Sequence, residues 1–187
     1  MKKKYKKGEF SYLGHKKKLE LIKTLLMFGI SALVFILGLI STKTKSNYLT
    51  IVAVLGCLPA SKSAVSTIMY YRIKECSREL FCNISEKFPN MGSFHLYFTS
   101  YDKNFATSHI FVKASTIIAY TENHKTDANA FEEHISTVLK HDGLKNCHIK
   151  LFTDKDKYLQ RIEQLMILEA NQETDNRIMN VLHSVSL

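Results

Sequence analysis

From Thr24 to Thr42 the chain carries no charged side chain, and a lysine stands at each end of the run, Lys23 and Lys43. The run is about 19 residues long and rich in Leu, Ile, Phe and Val. A bilayer core of roughly 30 Å is crossed by about 20 helical residues rising 1.5 Å each, so the stretch predicts a membrane-spanning helix. Gly29 and Gly38 do not oppose this, because glycine is common in such helices. A signal peptide is the rival reading. Its apolar region runs to only about 7–15 residues and ends at a small-residue cleavage site. Here Ser41-Thr42-Lys43 is a poor cleavage site, and a second apolar stretch follows.

That second stretch runs from Tyr48 to Tyr71 and is less apolar, with Pro59, several Ser and Thr, and Lys62. Lys62 lies about 15 residues into it, roughly 22 Å along a helix, close enough to the far interface for its stem to carry the ammonium to the headgroups. Tyr48, Tyr70 and Tyr71 mark the two ends, where an aromatic belt belongs. Gly56, Ala60 and Ala64 recur every four residues, with Ala53 near the same face, and small residues in such a row let two helix backbones approach closely. Only Lys43 to Asn47 connects the stretches, so an antiparallel hairpin is expected. The first span is then the natural partner of the small-residue face, and homodimerisation through that face is the alternative.

The orientation follows from basic residues near the ends. Lys2, Lys3, Lys4, Lys6, Lys7, Lys16, Lys17 and Lys18 precede the first span, the loop offers Lys43 and Lys45, and Arg72, Lys74 and Arg78 follow the second. Both termini are expected in the cytosol. The expected layout is a polybasic leader over residues 1–18, a transmembrane hairpin over 19–71, an amphipathic connector helix over 72–89 and a cytosolic α/β domain over 90–187.

The net charge of +9 is unevenly placed. Residues 1–89 hold 16 basic and 5 acidic side chains, and residues 90–187 hold 10 and 12. The excess therefore sits beside the membrane, where each Lys or Arg attracts anionic headgroups by about 1 kcal/mol. Lys16, Lys17, Lys18 and Lys62 are the expected headgroup contacts. A basic patch for nucleic acid is missing from the distal part. The expected partners are membrane lipids and either a protein partner or further copies of the chain. Four cysteines, Cys57, Cys76, Cys82 and Cys147, form no C-x-x-C pair and read as small buried hydrophobes, Cys57 within the second span and the other three facing the reducing cytosol.

After the second span, Ile73, Cys76, Leu80, Ile84 and Phe88 recur at spacings of three and four, which predicts a helix continuing from the span to about Lys87. Pro89-Asn90-Met91-Gly92 ends it. Phe94, Leu96 and Phe98 alternate as on one face of a half-buried strand. Asp102-Lys103-Asn104 reads as a turn, and His109–Lys113 and Thr116–Thr121 as strands joined by a turn at Lys113–Ser115 or fused into one. Asp127 or Thr126 is placed to cap a helix with Phe131, Ile135, Val138 and Leu139 on its stripe, and Gly143 to end it. A strand over Cys147–Phe152, a helix capped by Asp154 and a last helix from about Thr174 complete the order α-β-β-β-α-β-α-α. Strand, helix and strand in succession favour a right-handed parallel crossover, so a small mixed sheet covered by helices is expected.

The distal part contains no phosphate-binding glycine loop, no H-E-x-x-H, no paired metal-ligand motif and no G-x-S-x-G, and no cofactor or metal is expected. His134 and His141, seven apart, stand without a ligand motif and read as ordinary surface or satisfied histidines. The weak catalytic candidates are Asp102, Glu122 and Lys125. The order helix, three strands, helix, strand resembles the core topology of the restriction-endonuclease-like fold. That resemblance implies an acid on the second core strand and a Glu-x-Lys or Asp-x-Lys pair on the third, holding a divalent metal. Glu122 and Lys125 are spaced by one residue too many for that pair, and Asp102 falls in a turn. The sequence therefore supports a membrane-anchored protein with a noncatalytic binding or regulatory domain, with a tethered metal-dependent hydrolase or a degenerate endonuclease-like domain as the alternative.

Overall fold

The computed structural model describes residues 7–43, 48–101, 103–169 and 171–187. They form two compact units: Leu13–Ile73, and Lys74–Leu187 together with the segment that precedes Leu13.

The first unit is a helical hairpin, α1 (Tyr12–Thr42) and α2 (Tyr48–Arg72), and both helices are long and apolar enough to cross a membrane. At 31 and 25 residues they measure about 46 and 38 Å. Their exposed side chains are large and apolar, among them Leu25, Leu26, Leu33, Ile40, Val54 and Leu58. Through the middle of the helices the buried ones are small or hydroxylated, Thr24 and Ser31 on α1 and Ala53, Ala60, Ser63 and Thr67 on α2, while Leu13, Glu20 and Tyr70 are buried nearer the end that joins the domain. Thr24 Oγ1 lies 2.9 Å from both Ser63 Oγ and Thr67 Oγ1, and Thr67 Oγ1 donates to Ser63 O. Pro59 sits inside α2 without ending it. The connecting residues 44–47 lie outside the described residues.

Contrary to the expectation of one continuous helix, α2 stops at Arg72 and the next helix begins at Arg78. Lys17 Nζ donates to Ile73 O at 2.9 Å, supplying a partner to a carbonyl at the end of α2. Ser77 then caps α3 (Arg78–Lys87), its hydroxyl accepting from the Leu80 amide.

In the second unit, α3 is followed by β1 (Ser93–Thr99), β2 (Asn104–Lys113), β3 (Thr116–Tyr120), α4 (Ala128–His141), β4 (His148–Phe152), α5 (Lys155–Met166) and α6 (Gln172–Val185). The sheet order is β1-β2-β3-β4, antiparallel except for the parallel β3–β4 pair, as the expected mixed sheet requires. Asp127 and Asp154 cap α4 and α5, and Gly143 at φ +81° follows the end of α4 while Leu144 N donates to Leu139 O. The last helix starts at Gln172 rather than Thr174, because the Asn171 side chain caps it by accepting from the Thr174 amide. The turn between β2 and β3 is two residues, Ala114 and Ser115, both at positive φ (50° and 57°). Their amides donate to the two carboxylate oxygens of the largely buried Asp175 at 3.0 and 2.9 Å, which offsets the strain of two non-glycine residues in that region.

Helices cover both faces of the sheet. Ile110, Ile117, Ala119 and Leu151 meet Phe131, Ile135 and Leu139 of α4 and Ile178 and Leu182 of α6. Phe111, Ile118 and Tyr120 meet Leu80 and Ile84 of α3 and Tyr158, Leu159 and Ile162 of α5. The alternation expected of β1 does not hold throughout. Leu96 and Phe98 belong to the α4/α6 core, whereas Phe94 packs with the α3/α5 cluster. Between them His95 has φ +56°, and this left-handed residue turns Phe94 to the opposite face.

The segment ahead of α1 is part of this domain. Phe94 N donates to Gly8 O at 2.8 Å, Phe10 stacks on Phe81 with ring centroids 4.2 Å apart, and the Lys7 ammonium donates to His183 O and Ser186 O at the end of α6. Gly8, at φ +92°, lies so close that a Cβ there would stand 2.9 Å from Ser93 Oγ. At the other end of β1, Leu187 N donates to Tyr97 O and Ser186 bridges Phe98. The outer edge of β1 is thus closed by the two terminal segments, which removes a template for strand addition.

Candidate functional site

In open sheets with parallel strands, ligand sites form at the carboxyl ends of the strands. Here those ends are the loop after β3, residues 121–127, and the turn after β4, residues 153 and 154. Glu122 and Lys125 lie in the first of these, off the strand rather than on it. Both carboxylate oxygens of Glu122 accept from the Ser77 amide, at 3.0 and 3.2 Å, at the start of α3. The carboxylate is thereby placed where the positive end of the helix favours it. The Lys125 amide donates to Asn123 Oδ1 within the loop, and the residue is exposed. Asp102 lies outside the described residues. Among the described residues no group of three His, Cys, Asp or Glu side chains is arranged to hold a metal ion.

Charges around this rim are paired. Lys103 Nζ donates to Asp127 at 2.8 Å and holds its carboxyl below the usual range, helped by the Ala130 amide. Lys155 Nζ donates to Glu79 at 2.6 Å, which lowers the Glu79 carboxyl and raises the lysine. Burial, and then the Glu122 charge, raise the Tyr120 hydroxyl. The buried Cys76 thiol is pushed up to about 12 by burial first and by Glu122 and Glu75 second, so it stays protonated at neutral pH and is a poor nucleophile.

A second concave surface lies where the segment at residues 7–11 passes α3, the turn at residues 89–92 and the start of β1, forming a groove of about 700 Å³. Phe10, Phe81, Phe88 and Phe94 give it apolar walls, and Glu9, Ser85 and Asn90 give it polar ones. Behind Phe94, at 4.5 Å between centroids, lies His109, which is 1% exposed. Its Nε2 is 3.0 Å from Met91 O, an acceptor only, so Nε2 carries the proton and Nδ1 accepts from the Tyr158 hydroxyl at 2.6 Å. Burial pushes the ring down to about 4, so it is neutral at physiological pH, and it raises the Tyr158 hydroxyl well above its ordinary value. Phe10, Phe81, Phe94, His95 and His109 carry no sequence motif. They meet only because residues far apart in the chain are folded together.

In the hairpin, Ala60 is fully buried and Gly56 and Ala64 are half-buried on the same side of α2. A Cβ at Gly56 would stand 2.7 Å from Ser31 Oγ, a contact between the two helices. Of the lysines expected at headgroups, Lys16 pairs with Glu20 at 3.3 Å and lies over the Tyr70 ring, Lys17 bonds Ile73 O, and Lys18 and Lys62 are exposed. Cys57 and Cys82 are exposed, Cys147 half-buried and Cys76 buried, so only Cys76 matches the expectation of a buried hydrophobe in full. His134 is half-buried beside the Phe105 ring and His141 is exposed. No protein-family model, no curated protein and no solved structure matches this chain.

Proposed function

We propose that this chain is a membrane-anchored protein that crosses the bilayer twice, with both termini and its α/β domain in the cytosol, and that the domain is a noncatalytic module binding a protein or small ligand. The observation that carries the reading is the docking of residues 7–11 on the domain built from residues after Ile73. The chain before α1 and the chain after α2 belong to one folded body. Two segments that pack together lie on the same side of a membrane, so an even number of crossings separates them. The lysine-rich leader and the arginines after α2 assign that side to the cytosol.

A binding role is favoured over catalysis by what the carboxylates do. Glu122 serves the start of α3, Asp127 and Asp154 cap α4 and α5, and Glu79 pairs with Lys155. An impermeant thiol reagent applied to intact cells is expected to label a cysteine placed at Ser46 and to spare one placed at Ser184, in a background whose native cysteines are replaced. Labelling at position 184 from outside would overturn the topology. Titration of the purified chain with magnesium or manganese is expected to leave the resonances of Glu122 and Lys125 unmoved. Saturable shifts at those residues would restore the hydrolase reading.

A further inference from the structure

Both covalent connections between the hairpin and the domain arrive at one side chain. The segment leading into α1 brings Phe10 to 5.3 Å from the His95 ring, centroid to centroid. The segment leaving α2 brings the Cys76 amide, which donates to His95 Nε2 at 2.9 Å. His95 is 6% exposed and occupies a left-handed conformation inside β1, which a non-glycine residue in a strand adopts only when its surroundings hold it there. Those surroundings include the two connections, with Phe94 alongside.

We propose that His95 is a conformational clamp that joins the segment before α1 and the segment after α2 to the sheet, so that release of either segment loosens the other and lets β1 relax. The clamp itself lies wholly within the domain and is tested there. Two backbone amides report it. Phe94 N donates to Gly8 O and senses the leading segment, and Cys76 N donates to the His95 ring and senses the trailing one.

Amide hydrogen exchange on the full chain, in lipid bilayers and again in detergent, tests the clamp independently of how many times the chain crosses a membrane. In Phe10→Ala, exchange at Cys76 is expected to rise about fivefold, the effect of weakening one hydrogen bond, although Phe10 makes no bond to that amide. In His95→Gly, which suits the backbone conformation, exchange is expected to rise at Phe94 as well as at Cys76, while Ile118 in β3 keeps its protection. A rise at Phe94 but not at Cys76 in Phe10→Ala would overturn the clamp, as would a rise at Cys76 alone in His95→Gly. If His95→Gly loosens Ile118 too, Phe10→Ala, which leaves β1 unaltered in sequence, decides between the same two outcomes.

Discussion

In the hairpin, the side chains turned inward include Glu20, Thr24, Ser31, Ser63 and Thr67, with Ala53 and Ala60 among them, and between Leu19 and Ile68 most Leu, Ile, Val and Phe side chains point outward. In the domain the arrangement is reversed: Phe98, Phe131, Ile117, Ile135 and Tyr158 are buried, and lysines and glutamates hold the surface. One chain thus follows two opposite rules, as the membrane anchoring proposed for the hairpin requires. In water, burying a large apolar side chain contributes roughly 1.5–3 kcal/mol. In hydrocarbon that gain vanishes, and helices associate through close packing of small residues and hydrogen bonds such as the Thr24, Ser63 and Thr67 cluster.

The contrast is sharpest for truncation of large apolar residues. Phe131→Ala in the domain is expected to cost about 3–5 kcal/mol, comparable to the stability of a small domain, and to leave it largely unfolded. Leu26→Ala on the outward face of α1 should leave the detergent-solubilised protein as resistant to proteolysis as the parent. Equal sensitivity of the two variants would break the comparison.

Acidification separates the units next. Between pH 6.5 and about 4 the unfolded chain binds a proton at His109 that the folded domain refuses. Stability is therefore complete above pH 6.5 and falls as pH drops, by about 3 kcal/mol at pH 4. His109→Gln should flatten that slope in urea titrations followed across the pH range, while cysteine crosslinking within the hairpin stays pH-independent. An unchanged slope in the variant would remove His109 as its source.

Ala60→Leu is expected to cost about 1–3 kcal/mol in the hairpin, because a fully buried alanine leaves no room for the larger side chain. Crosslinking between cysteines at facing positions of α1 and α2 reads it, and unaltered crosslinking would show that the small-residue face does not set the packing. The smallest effect is a gain. Replacing Ala114 and Ser115 by Asn and Gly puts residues that accept positive φ into the turn and should stabilise the domain by about 1 kcal/mol. A loss of stability there would mean that the Asp175 contacts depend on the native side chains.

Local chemistry made much of this legible. The uncharged run marked α1, Asp127, Asp154 and Gly143 marked helix ends, and the segment order followed from periodicity. The break between α2 and α3 carried a local signal, Ser77 as a capping residue, but no proline or glycine interrupts the apolar spacing from Ile73 to Phe88. The side of Phe94 was hidden because a left-handed His95 leaves no trace in an alternating pattern. The docking of residues 7–11 was hidden for a different reason. Its partners, Phe81, Phe94 and His183, lie across the whole hairpin in sequence, and a lysine-glycine segment shows no periodicity of its own. Glu122 was legible as a residue and not as a site, since its hydrogen bonds to the start of α3 form only when that helix packs.

That docking also sets the order in which the molecule is completed. Lys7 is synthesised 176 residues ahead of its acceptor His183. Between them lie two long apolar helices and the entire sheet. The segment at Lys7 therefore docks only after α6 has been made, although it precedes every other part of the domain in the chain. A nascent chain arrested before α6 should leave Lys7 open to trypsin, whereas the released protein should shield it.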